Sequence, residues 1–147
     1  MFGQSESIFI EEYAEIGGPD AALMARWNRI REIRDIANKE IEAVRAAGQL
    51  GSSLQANLAI RANAQDLALL RSLGEDLKFV FITSKVTLDA TPLPDGELAV
   101  GVEASQDPKC ERCWHWRADV GKDPAHPTIC GRCVSNLFGA GEARVHA

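Results

Sequence analysis

No run of this 147-residue sequence approaches the roughly 20 unbroken apolar positions that a membrane-crossing helix requires. The opening Met1-Phe2-Gly3-Gln4-Ser5-Glu6 has neither the basic nor the apolar region of a secretion signal. A soluble, cytoplasmic protein without membrane attachment is therefore expected. The chain also lacks a positive balance: its formal charge is -5, which argues against a nucleic-acid binder held by long-range attraction alone. Residues 1–106 hold 10 basic and 16 acidic side chains, whereas 107–147 hold 6 and 5. Any nucleic-acid contact must then be local, made by placed side chains. The sequence has no internal repeat and no low-complexity segment. It is too short for a multidomain enzyme, and its 46% hydrophobic content suffices for one core or two small ones. A monomer is expected.

The pattern along the chain points to an α+β fold. The run Glu6–Tyr13, apolar with acidic flanks, is stopped by Gly17-Gly18-Pro19-Asp20, so residues 1–19 read as a tether. Asp20 can cap a helix, and Leu23, Trp27, Ile30, Ala37, Ile41 and Val44 recur at three- and four-residue spacing until Gly48. A long amphipathic helix is expected within 20–50. Arg34 falls in the apolar stripe, either facing a partner or paired with an acid or snorkelling to the rim. Leu54, Ala56, Leu58, Ile60 and Ala62 alternate with polar residues as in a half-buried strand. Asn63 and Asp66 suit the cap of a second helix through Leu67, Leu70 and Leu73. Leu77–Ile82 fits helix or strand. Lys85–Leu88 and Leu98–Ala104 read as strands on either side of the turn-forming Pro92–Gly96. Residues 51–106 thus form a small α+β unit, and 107–147 a separate C-terminal module.

All four cysteines lie in that module, as Cys110-Glu-Arg-Cys113 and Cys130-Gly-Arg-Cys133 with 16 residues between the pairs. A two-residue gap lets both sulfurs of one knuckle reach one ion, and two knuckles complete a tetrahedron. Gly131 suits a tight turn in the second knuckle. The spacing points to one structural Zn2+ held by Cys110, Cys113, Cys130 and Cys133; four thiolates close the coordination sphere and leave no position for a catalytic water. Iron shares the ligand set. Disulfides and thioredoxin-like redox chemistry fit a reducing compartment and a turn-rich setting poorly. His115 and His126 are expected on the surface, with four cysteines already present. The tail has few apolar anchors, so metal binding should supply much of its folding free energy.

Beside the cysteines stand Arg112, Trp114, His115, Trp116, Arg117 and Arg132. Such a set suits single-stranded RNA, whose splayed bases stack on aromatic faces while arginines take phosphates. The competing use is packing, with a tryptophan covering the metal.

Taken together, Cys110-Glu-Arg-Cys-Trp-His-Trp116, Asp119-Val-Gly-Lys122 and Ile129-Cys-Gly-Arg-Cys-Val-Ser-Asn136 resemble the zinc-binding C-terminus of bacterial isoleucyl-tRNA synthetases. Glu6–Ile10, Trp27 through Arg34-Asp35, Gly51–Leu54 and Phe79–Ile82 are similar to the end of that family's anticodon-binding helical region and the small domain after it. The resemblance covers nearly the whole chain, with the cysteine motif its most specific part. It implies a zinc module that helps grip the anticodon side of isoleucine-accepting tRNA for a ligase that joins isoleucine to tRNA with ATP. The chain departs from the family in having no His-Ile-Gly-His-like or Lys-Met-Ser-Lys-Ser-like signature, no nucleotide-binding core and no editing domain. No catalytic residue is therefore expected in it, ATP belongs to the complete enzyme only, and the chain reads as a fragment or a separately encoded remnant. Formamidopyrimidine-type DNA glycosylases resemble it in ending with a similar doubled Cys-x-x-Cys finger, but they begin Met-Pro-Glu, and here residue 2 is Phe2. A free-standing zinc ribbon that binds another protein is the third reading.

Overall fold

A computed structural model describes residues 17–142; the expected tether lies outside them except for its last three residues. The long helix is present as α1 (Ala21–Ala46). Its start is fixed by Asp20, whose carboxylate accepts the amide hydrogens of Ala22 and Leu23 at 2.9 and 3.0 Å, satisfying donors that have no partner within the helix. Ile30, Ile33, Ala37 and Ile41 are its buried face. Of the other stripe residues, Trp27 and Val44 pack at the rim of the core, and Leu23 is exposed. Gly48 adopts φ 72°, and the amides of Gly48 and Gln49 fold back onto the carbonyls of Arg45 and Val44. Arg34 is half-buried and its Nε has no hydrogen-bond partner; no carboxylate pairs with it among the described residues.

β1 (Ala56–Ala62) carries the expected period of two, with Ala56, Leu58, Ile60 and Ala62 buried. Leu54 lies just before it in a 3-10 turn, Ser53–Gln55. Asn63 caps α2 (Ala64–Arg71) by accepting the amide of Asp66 at 2.9 Å. After a second 3-10 turn, Gly74–Asp76, the ambiguous apolar run forms α3 (Leu77–Phe81). Ile82 at φ 55° ends α3, an uncommon conformation for a β-branched residue that redirects the chain into the sheet.

β2 (Lys85–Leu88) runs parallel to β1, from Asn57 opposite Lys85 to Ile60 opposite Leu88. β3 (Leu98–Ala104) runs antiparallel along the other edge of β1, from Ala56 opposite Ala104 to Ala62 opposite Leu98. The order is β2-β1-β3. The two strands that flank the Pro92–Gly96 turn in sequence are therefore not a hairpin, because β1 lies between them. Its central place follows from burial: β1 has four fully buried side chains, and the edge strands have none.

α1, β1, α2 and α3 share one apolar core, with Ile30, Ile33, Leu58, Ile60, Leu70 and Phe81 at its centre. Each of these side chains contributes roughly 1.5–3 kcal/mol by leaving water. A polar clamp crosses beside it. Arg29 on α1 donates from Nε and Nη2 to the two carboxylate oxygens of Asp66 on α2, at 2.9 and 2.7 Å, and Asn63 Nδ2 donates to Asp66 Oδ2 at 3.0 Å. Asp66 is 4% exposed, and these donors hold its carboxyl below the usual carboxylate range, the Arg29 hydrogen bonds foremost.

Among the described residues beyond Ala104 regular structure is sparse: a single bridge between Lys109 and Trp116, and the short helix α4 (Gly131–Phe138). This tail docks on the sheet unit at two points. The Trp116 amide donates to Ser84 Oγ at 2.7 Å, and the same hydroxyl donates to the Leu54 carbonyl. Phe79 on α3 lies 4.6 Å from the Arg132 guanidinium and meets His115 edge-on with centroids 5.7 Å apart.

Candidate metal centre

The first knuckle is a tight turn in which the Trp114 amide donates to the Cys110 carbonyl and the Cys110 amide donates to that of His115, both at 2.9 Å. Trp114 itself takes φ 62°, the left-handed region that a bulky residue seldom occupies. The second knuckle leads into α4, with Cys130 at its cap and Cys133 in its first turn. Gly131 does not adopt a left-handed conformation. Its small size serves a close approach, since a Cβ there would stand 3.1 Å from Asp119 Oδ2, which accepts the Gly131 amide. The turn glycine is instead Gly121 (φ 76°), in the strap between the knuckles.

The four sulfurs converge. All lie within 4.8 Å of one another, and the pairs Cys110–Cys133 and Cys113–Cys130 are each 3.8 Å apart. A zinc–sulfur bond of about 2.3 Å in a regular tetrahedron requires a sulfur–sulfur edge of about 3.8 Å, the length of these two edges. That separation is nearly twice the roughly 2.05 Å of a disulfide, and all four cysteines are free. Cys110, Cys130 and Cys133 are fully buried, with Val120 and Ile129 packed around them. The donor set fits one zinc ion. His115 and His126 are not among the converging ligands.

Amide donors surround the cage. The Cys130 amide points at Cys110 Sγ at 3.4 Å, and Arg112 Nη1 at Cys133 Sγ at 3.6 Å. Burial opposes ionisation of Cys110, but amides of Cys113, Cys130 and Arg112 outweigh it and pull the thiol down to about 6. At Cys113 and Cys130 burial prevails and pushes the thiols up. Four convergent thiols suit a dication, because coordination deprotonates a thiol outright.

The six side chains expected to meet RNA take up different stations. Trp114 is 60% exposed, its indole Nε1–H anchored to the Glu111 carbonyl at 3.1 Å. Arg112 is exposed and Trp116 half-buried, and Lys109 Nζ stands over both tryptophan rings, 5.7 Å from Trp114 and 5.2 Å from Trp116. His115 is buried, its Nδ1 3.1 Å from the Cys113 carbonyl, and burial lowers its pKa. Arg117 forms a two-point pair with Asp119 at 2.8 and 2.9 Å. Arg132 is held by Glu142 at 2.7 Å and lies over Phe79. Lys109 thus links the exposed Trp114 to the half-buried Trp116, Arg112 reaches back to Cys133, and His115 and Arg132 point inward against Phe79. Of the two residues that seat the metal module, Ser84 carried no signal in the sequence and Phe79 entered only through the family resemblance; their partners in the module are 30 or more residues away in the chain. Lys109 could have been singled out by its place beside the first knuckle.

Residues 107–136 match a family model described as a zinc finger found in FPG and IleRS. The chain is 52% identical to the isoleucine–tRNA ligase of Cupriavidus pinatubonensis over 99% of its own length and 15% of that protein's. It is 57% identical to the isoleucine–tRNA ligase of Bordetella avium over 86% of its length and 13% of that protein's. Against the isoleucine–tRNA ligase of Bordetella pertussis the identity is 51% over 96% of the chain and 15% of the relative. The chain therefore spans about 15% of the length of the curated relatives it matches.

Proposed function

This chain is a homologue of bacterial isoleucine–tRNA ligases, matched along nearly all of its own length, and from that premise we propose that it is their zinc-stiffened tRNA-contacting module. The activity of the whole ligase, ATP-dependent joining of isoleucine to tRNA, needs a catalytic core that this chain does not contain, so its part is binding. It acts at the C-terminal, anticodon side of the enzyme, in the cytoplasm, and as a monomer. The zinc is structural: it fixes the two knuckles and thereby the aromatic face they carry.

One observation supports this reading above the others. Trp114 is a large aromatic held in an unfavourable left-handed conformation, 60% exposed, next to an exposed arginine and on a cage sized for zinc. A residue used only for packing would be buried. An indole face offered to solvent on a rigid turn suits a splayed base, which every nucleotide can supply. Similarity to the ligases along nearly the whole of this chain weighs against the glycosylase reading, which shares only the finger.

The test is a titration of the zinc-loaded chain with isoleucine tRNA and with a non-cognate tRNA at two salt concentrations. Trp114→Ala should keep one zinc per chain and the wild-type melting temperature, and weaken tRNA binding roughly 5- to 100-fold, the worth of about one stacked base. Wild-type affinity in that variant would sink the assignment.

A further inference from the structure

Two concave surfaces meet on the face of the sheet turned away from the core. One is a shallow groove of about 320 Å³ across β1, β2 and β3, with Asn57, Ala59, Lys85, Thr87 and Gly101 along it. Its floor is low because the residues there are small: a Cβ on Gly101 would lie only 3.7 Å from that of Ala59. The other is a cleft of about 450 Å³ between β2 and the metal module, with Lys85, Trp116, Arg117 and Lys122 on its walls. Asn57 and Lys85 line both, so the two form one channel that runs from Trp116, just past the first knuckle, onto the open sheet.

The charges along it are unevenly committed. Lys78 is paired with Glu75 at 3.0 Å and Arg117 with Asp119 at 2.8 Å. Lys85 and Lys122 are exposed and meet no carboxylate among the described residues. Glu103 and Asp107 are the acids left on the channel's walls. Two uncommitted ammonium groups stand at the middle and at the metal end of a channel whose floor is made low by Ala59 and Gly101, with Asn57 and Thr87 beside them. An amphipathic helix in a groove needs deep apolar anchor pockets, and the floor of Ala59 and Gly101 offers only a shallow one. A sugar–phosphate backbone needs only spaced cations and polar groups.

We infer that the channel is a track for the backbone of an RNA strand leaving the knuckle, with Lys85 and Lys122 each on a phosphate. The inference rests on the tRNA-contacting reading above and extends it from the knuckle to the sheet. The probe is fluorescein-labelled isoleucine tRNA, bound by the zinc-loaded full chain over a range of salt. The variants are Lys85→Ala/Lys122→Ala and, as a charge-matched comparison, Arg31→Ala/Lys39→Ala on the exposed side of α1. The channel pair should lose roughly tenfold in affinity at low salt and reduce the slope of log affinity against log salt by about 2, one per phosphate contact, and the α1 pair should change neither. Equal losses in the two variants would reduce the effect to net charge and overturn the track. Unchanged binding by the channel pair while the wild type binds would overturn it and leave the knuckle contact standing; failure of the wild type to bind would overturn both. Full displacement of the tRNA by polyglutamate of equal charge would assign the channel to acidic peptide instead.

Discussion

Replacing Cys130 by alanine should unfold the tail from about Asp107 onward and spare the rest. The magnitudes separate the two halves. Apart from its cysteines the tail's small core has, among the described residues, only Val120 and Ile129, both partly buried, and together they are worth about 3 kcal/mol. A four-thiolate zinc site supplies about 10–16 kcal/mol of apparent folding free energy in small domains. The metal term therefore dominates, and losing a fully buried ligand removes most of it. The core beneath α1 contains no residue of the tail, so it loses nothing directly. Hydrogen exchange by mass spectrometry reads both regions in one experiment, alongside zinc per chain measured by elemental analysis. Amides of Cys110, Glu111 and Val134, bonded within the tail in the wild type, should exchange at the rate of an open chain. Those that join β1 to β2 and β3 should stay protected. A Cys130→Ala protein that retains one zinc and full protection of the tail would refute the reasoning.

Arg29→Ala should cost about 2 kcal/mol at pH 7, less than a fully buried pair because the arginine side chain is 39% exposed. Asp66 has a folded pKa below its unfolded value, so the clamp's stabilisation is complete above the unfolded value of about 3.9 and is lost as pH falls through the folded one. Urea unfolding at a series of pH values should show the gap between wild type and variant constant from pH 7 to about pH 5 and narrowing only below the unfolded value; a gap that closes between about pH 7 and pH 5 would contradict this. Gly121→Ala places a Cβ 2.9 Å from the Pro127 carbonyl at φ 76° and should cost about 2 kcal/mol, read as roughly 30-fold weaker zinc in competition with a chromophoric chelator. Zinc affinity equal to wild type would show that the strap is not coupled to the cage.

Much of this molecule can be read along the chain, and what cannot has a physical reason. Asp20, Asn63 and the apolar stripe of α1 act over three or four residues, so caps and periodicity report them. The doubled cysteine spacing likewise states its geometry locally. Strand order does not: whether β3 joins β2 or β1 depends on which strand buries both edges, a tertiary matter. Leu77–Ile82 was ambiguous for a related reason, because a six-residue apolar run fits either state until Ile82 turns left-handed. The inward turn of His115 and Arg132 depends on Phe79, which no spacing links to the knuckles. Gly131 shows the converse error, since a glycine beside a cysteine suggested a turn where the structure needed room for a carboxylate.

The Ser84 hydroxyl has one more consequence. It serves both halves at once, giving its hydrogen to Leu54 and receiving one from Trp116. If the tail let go, that oxygen would keep its own donation and trade a single incoming hydrogen for water, opening no hole beneath the strands. At this docking point the seam is thus cheap to part, the contacts of Phe79 with His115 and Arg132 being the ones given up, and under metal starvation the protein would fail by halves, with the strand-and-helix part left standing to receive its companion again when zinc returns.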